Sequence, residues 1–191
     1  MLNSSEFVDQ LDSSQHILQI ITDDIKGKNT QFQFLENGLL KGEYCIYLTH
    51  ENPDKIKNKM QEFGIDVDRF IHNNLHIHRV PNLLKHPDGA LMGFRIFFDV
   101  IMPNPKPKFR LVGRAIHDIT TQEGWNAEIE IEQFVHSAFD LADGMILCCY
   151  EHKNLGRSKT MSRIVHLLGC HSGVIFSTFA EPNLAYSLSQ D

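Results

Sequence analysis

The chain has 191 residues, 42% of them hydrophobic and 22% charged, with a formal net charge of −6. That length is enough for one domain with a real core, and the acidic balance argues against nonspecific nucleic-acid binding, which needs a basic face. Four cysteines with no C-x-x-C pair, and no apolar run near ~18 residues, predict reduced thiols, no membrane span, no signal peptide and a cytoplasmic protein.

Residues 1–15 carry only a weak helix pattern around Glu6 to Leu11 and read as a loosely attached start. A single domain is expected over 16–186, with a short tail at 187–191. His16 to Thr22 (HILQIIT) reads as the first strand. A helix follows from about Asn29 to Asn37, with Phe34, Leu35 and Leu39 at helical spacing and Gly38 as its left-handed stop. Gly42 turns the chain, and 43–49 (EYCIYLT) is a short apolar run rich in β formers. Pro53 to Phe63 is an amphipathic helix with Ile56, Met60 and Phe63 on one face, stopped by Gly64. Asp66 to Ile71 is a short helix that tucks Phe70 inward. Leu75 to Val80 alternates as a half-exposed or edge strand, which makes His76 and His78 a solvated pair.

After a loop at 82–89, Ala90 to Met102 is a nearly all-apolar helix, buried or at an interface. Phe109 to Ile116 reads as a strand and HDITTQEG as a polar loop at its C-terminal end. In Trp125 to Leu141 the EIEIE alternation competes with the helical spacing of Ala127, Ile131, Phe134, Val135 and Ala138. The helical period spans more of the segment, so a helix is expected. Gly144 to Tyr150 is a buried strand, Ser158 to Leu168 a helix, and Gly173 to Thr178 a last strand. This alternation predicts an α/β fold, a mostly parallel sheet with helices on both faces. HILQIIT, YCIYL and MILCCY, each apolar on both faces, are expected side by side within it.

In open parallel sheets ligands gather at the C-terminal ends of the strands. That rule nominates Thr22 and Asp23, then Thr49, His50 and Glu51, then Arg114 and His117, and finally Tyr150, Glu151 and His152. Ordinary water-facing strand ends are the alternative for each. No catalytic residue is expected: Cys170 beside His171 lacks an orienting acid, and Glu51 and Glu151, read as lying at neighbouring strand tips, either pair for acid–base work or are simply solvated. No metal is expected either. His76 and His78 share a face but find no third ligand, and Cys148, Cys149 and His152 do not point the same way.

The run from Gln33 to Glu51 resembles the segment that follows the phosphate-binding loop in RecA-like ATPases of the KaiC type. The loop itself is missing. ITDDIKGKNTQF offers Gly27 and Lys28, but Asn29 stands where Ser or Thr should hold magnesium, and Asp23 and Asp24 would repel a triphosphate. Over the whole chain the likeness sharpens. His16-Ile17-Leu18, FLENGLLKGEYCIYLT at 34–49, GIDVDRFI at 64–71, GW at 124–125, CCYE at 148–151 and LLGCHSGVIF at 167–176 follow in order, then Glu181, Pro182 and Asn183. Together they resemble the sensory domain named after methanogens, methylotrophs and the regulator DcmR (MEDS). The last two residues are exchanged relative to that family's usual ending.

The resemblance implies a RecA-like three-layer sandwich without the phosphate loop. It implies a noncatalytic sensory domain that binds a small, hydrocarbon-like molecule, uses no cofactor, and acts through a signalling or transcription-regulatory protein partner. Direct contact with nucleic acid or membrane is not expected, and a homo-oligomer is compatible with it. Two alternatives come from other classes: a degenerate ATPase that keeps nucleotide through Lys28 and Glu51, and a scaffold that only pairs with RecA-like proteins.

Overall fold

The computed structural model describes residues 2–12, 14–104, 106–138, 143–156, 159–179 and 184–188. The strands are β1 (Leu2–Asn3), β2 (Gln15–Ile21), β3 (Tyr44–Thr49), β4 (Leu75–Arg79), β5 (Phe109–Gly113), β6 (Gly144–Glu151), β7 (Gly173–Ser177) and β8 (Leu184–Ser187). The helices are α1 (Ser4–Asp9), α2 (Asp24–Leu40), α3 (Pro53–Phe63), α4 (Val67–Phe70), α5 (Ala90–Ile101), α6 (Gln122–Ala138) and α7 (Thr160–Leu168). Among the described residues the sheet has eight strands in the order β1-β8-β7-β2-β6-β5-β3-β4. The run from β7 to β4 is parallel, while β8 lies antiparallel on β7 and β1 antiparallel on β8.

Side chains alternate across each strand, so the sheet feeds two cores. Ile17, Cys45, Tyr47, Val112, Met145, Leu147 and Ile175 meet α1, α2 and α3 on one face. Leu18, Ile20, Ile46, Leu48, Leu111, Ile146, Cys148 and Tyr150 meet α5, α6 and α7 on the other. This is the three-layer arrangement expected. Pairing differs in one respect: β2 and β6 are neighbours, but β5 lies between β6 and β3. Glu51, just beyond the end of β3, and Glu151, at the end of β6, therefore belong to strands that do not touch.

Helix α2 is longer than its pattern suggests. It starts at Asp24, capped by Asp23, and runs through Gly38 to Leu40. Gly38 does not stop the helix; it makes room. A Cβ there would sit 2.6 Å from Arg110 Cδ and 2.8 Å from Cys45 Sγ. Through that notch the fully buried Arg110 reaches Glu43 Oε2 at 2.6 Å and donates to the Phe34 carbonyl at 2.9 Å. The charge is enclosed together with its partner, as burial requires.

The first residues are not a loose start. Asn3 caps α1 in a reciprocal box with Glu6, and Phe7, Val8 and Leu11 are buried in the core shared with α2. They anchor because β1 completes the sheet on β8, a strand that the chain's periodicity does not announce. Ser187, assigned to the tail, belongs to β8. The Glu181-Pro182-Asn183 turn lies outside the described residues. Helix α5 is half covered: Phe94 and Ile101 are buried, while Met92, Ile96 and Val100 face outward. Among the described residues no helix is long and apolar enough to cross a membrane.

Candidate functional site

At the C-terminal edge of β2, β3, β5 and β6 lies an open cleft of about 830 Å³. Thr49, His50, Glu51, Arg114, His117 and Glu151 line it, as the strand-end rule expects. The other four nominated residues do not. Thr22 donates its N–H to the Ser177 carbonyl at 2.9 Å and holds β2 to β7. The Asp23 carboxylate accepts from the N–H groups of Ile25 at 3.0 Å and Lys26 at 3.1 Å. His152 is exposed in a short 3₁₀ turn, His152–Leu155, off the cleft wall. Tyr150 has 0% exposure, because its position on β6 turns it under the sheet toward α6.

The cleft is unsuited to a triphosphate. Only Thr22 and Asp23 separate β2 from α2, which leaves no loop to wrap phosphates, and the first N–H groups of α2 already bind Asp23. Lys28 is held inward. Its ammonium donates to the Tyr47 hydroxyl at 2.5 Å, Tyr47 donates to Gln31 at 2.7 Å, and Gln31 donates to Gln19 at 3.0 Å. Burial lowers the Lys28 pKa below the usual lysine range. Arg114 is likewise spent on its own loop, donating to the Ile116 and His117 carbonyls at 3.0 and 2.8 Å. His50 meets His117 edge-on at 5.0 Å, and burial together with Arg114 lowers its pKa to about 4. Asp24, Glu51, Glu62, Asp118 and Glu151 outnumber Lys28, Lys59 and Arg114 among the charged residues that line the cleft.

On the opposite face of the sheet, between α5, α6 and β5, is a smaller chamber of about 270 Å³. Phe94, Phe98, Phe109, Ile131, Phe134 and Val135 belong to its apolar wall, Arg95, Asp99, Lys106 and Arg114 also line it, and Glu132 and Cys148 reach it from α6 and β6. Leu48, Gly113 and Arg114 border both spaces. Gly113 passes so close to β3 that a Cβ would lie 2.7 Å from the Leu48 carbonyl oxygen.

Beneath this chamber is a polar cluster that pattern reading missed. Glu128 and Glu132 sit one turn apart on the inner face of α6, both buried. Tyr150 lies between them, bonded to Glu132 and 2.8 Å from Glu128. Glu128 also accepts the Ile116 N–H at 2.7 Å. Burial, then the charge of Glu132, raises the Glu128 pKa to about 7. Burial would raise Glu132 too, but His171, His16 and its hydrogen bonds outweigh it and keep that carboxylate ionised. His16 and His171 lie on the far side of Glu132, their ring centroids 4.0 Å apart and their planes tilted by 31°. The available signal was the EIEIE run: carboxylates four apart on the apolar side of a helix need partners. His76 and His78 are half-buried, His76 stacked on Tyr44 at 4.1 Å and His78 edge-on to Phe97 at 6.4 Å, rather than solvated.

The family model of MEDS, the MEthanogen/methylotroph, DcmR Sensory domain, matches residues 15–172. A solved structure from Pyrococcus horikoshii OT3, studied as Project ID PH0250, superposes with a TM-score of 0.61 at 8% identity, covering 93% of this chain and 89% of that one. The KaiC-like protein PH0186 from the same hyperthermophilic archaeon superposes with a TM-score of 0.60 at 15% identity, covering 93% of this chain and 79% of that one. At such identities the likeness concerns the fold, which is RecA/KaiC-like. No curated protein matches the sequence.

Proposed function

The chain belongs to the MEDS family of sensory domains, and we propose that it is a noncatalytic receiver of a small, largely apolar molecule, acting through a signalling or transcription-regulatory partner protein. The observation that carries this reading is the phenylalanine-lined chamber, mostly apolar with a minority of polar and charged groups on its wall. Small-molecule sites have this composition: mostly apolar, with a few placed polar groups to orient the ligand. A cavity of about 150 Å³ lined by aliphatic and aromatic side chains takes benzene, so a chamber of about 270 Å³ has room for a hydrocarbon-sized guest. Seating such a guest against Phe94 and Phe98 acts directly on α5. That helix is the natural element to pass the signal on.

A second reading rests on the cleft. Its acid-rich rim and lack of a phosphate cradle favour an uncharged or cationic polar molecule over a nucleotide, and this supports a binding role rather than ATP hydrolysis. The two readings separate experimentally. Benzene, cyclohexane and one- to four-carbon alcohols are added to the full chain and its melting is followed. At a hundredfold excess over Kd, binding is worth about 2.7 kcal/mol, a rise of roughly 5–10 °C for a domain of this size. Val135→Phe, which fills the chamber, should abolish the rise, and His50→Ala in the cleft should leave it intact. The opposite pattern would move the ligand to the cleft.

A further inference from the structure

The cluster below the chamber holds four potential metal ligands drawn from four parts of the chain. His16 stands at the start of β2, Glu132 on α6, Cys148 in the middle of β6, and His171 in the turn between α7 and β7. All are buried, and their ligand atoms lie within 4.8 Å of one another. His16 Nε2 is 3.0 Å from Glu132 Oε2 and 3.2 Å from Cys148 Sγ. Glu132 Oε2 is 3.5 Å from both Cys148 Sγ and His171 Nε2. A tetrahedral zinc with bonds of about 2.0–2.3 Å sets its ligand atoms roughly 3.3–3.7 Å apart. The observed separations straddle that range.

Three further features point to a cation between these atoms. First, His171 Nδ1 lies 2.6 Å from the Leu167 carbonyl, so it carries the proton that this contact needs. That leaves Nε2 turned into the cluster, buried and without a hydrogen bond. A ring held through its other nitrogen by a carbonyl is the usual posture of a metal-bound histidine. Second, Tyr150 is bonded to Glu132 Oε1, which leaves Oε2 free to face the cluster. Third, the charges close. One carboxylate and one thiolate with two neutral imidazoles cancel a divalent cation, so the loaded site is neutral and suits a buried position.

We propose that His16, Glu132, Cys148 and His171 form a binding site for a divalent transition metal, zinc by its mixed nitrogen, oxygen and sulfur ligands. Binding replaces the Cys148 S–H bond by a sulfur–metal bond, and the thiol proton leaves to solvent. Tyr150 is a positioning residue that holds Glu132 through its second oxygen. The site stands apart from the ligand reading, since it needs no guest in the chamber, although Glu132 and Cys148 belong to both.

The test uses the full chain and metal alone. Protein made in zinc-supplemented medium should hold about one zinc per chain. After chelation, Co2+ should restore an absorption spectrum of tetrahedral cobalt with a sulfur-to-metal charge-transfer band, and release a proton on binding. Cys148→Ser should lose the charge-transfer band. Tyr150→Phe, a milder change that spares all four ligands, should weaken Co2+ by roughly 10–100-fold. The wild-type spectrum decides the matter even where a ligand variant does not fold. A metal-free wild-type protein with no cobalt spectrum would overturn the proposal. So would zinc that persists in Cys148→Ser and disappears in His76→Ala/His78→Ala.

Discussion

Arg110 passes under α2 with no slack, and Gly38 is the residue that lets it. Alanine is the better helix former by about 1 kcal/mol, so Gly38→Ala would stabilise an open helix. Here the added methyl meets Arg110 Cδ and Cys45 Sγ, neither of which can retreat from its buried place. The substitution should cost a net 1–3 kcal/mol, roughly, as overpacking does. Urea unfolding measures it, and a variant more stable than wild type would refute the notch. Glycine at this point in a sequence looks like a helix stop because the local signal is identical. What distinguishes the two cases is a side chain over seventy residues away, which no window on the sequence contains.

At the scale of elements, α2 and α5 make contrasting predictions. Asp23 closes the N-terminus of α2, so Asp23→Ala should cost about 1 kcal/mol, while Asp23→Asn should cost little. Neither wild type nor Asp23→Ala should bind Mg-ATP tightly by titration calorimetry, because removing the cap does not create a phosphate loop. On α5 the two faces should behave differently. Ile96→Lys and Val100→Glu, on the outer face, should shift stability by no more than about 0.5 kcal/mol. Phe94→Ala, on the inner face, should cost about 3–5 kcal/mol. Strand and helix identities were largely readable, since periodicity is local: α3, α4, β4 and the helical reading of α6 all follow from spacing. The cluster was not. His16, Glu132, Cys148 and His171 follow no motif spacing, and each alone looks like an ordinary residue in an apolar element.

For the whole molecule, pH sensitivity follows from histidines that the fold keeps neutral. Burial lowers the pKa of His50 to about 4 and lowers those of His76 and His78 below 6.5. As pH falls through 6.5 the unfolded chain takes up these protons and the folded chain does not. The share of stability these histidines contribute is therefore full above pH 6.5 and declines toward pH 4, while Glu128, raised to about 7, acts in the opposite sense. Denaturant titrations across that window should show the decline, and His50→Gln should flatten it. An unchanged slope in the variant would remove His50 from the account. The cleft was legible because the strand-end rule depends only on parallel strands. The sheet order that separates Glu51 from Glu151 was not, because crossovers leave no mark on local sequence.

The pairing of β1 with β8 sets Leu2 opposite Ala185. A ribosome delivers Leu2 long before Ala185. Until β8 emerges, Leu2 and Asn3 have no strand to join, and Phe7 lacks part of its seat. Closing so long a loop is also the slowest kind of contact to form. The edge carrying both extremes of the described chain is thus the last to be built and the first to open. A chain ended at residue 179 should expose the segment around Phe7 and Val8 to protease while β2 to β6 stay protected. Assembly of this sheet closes at the edge where β1 joins β8.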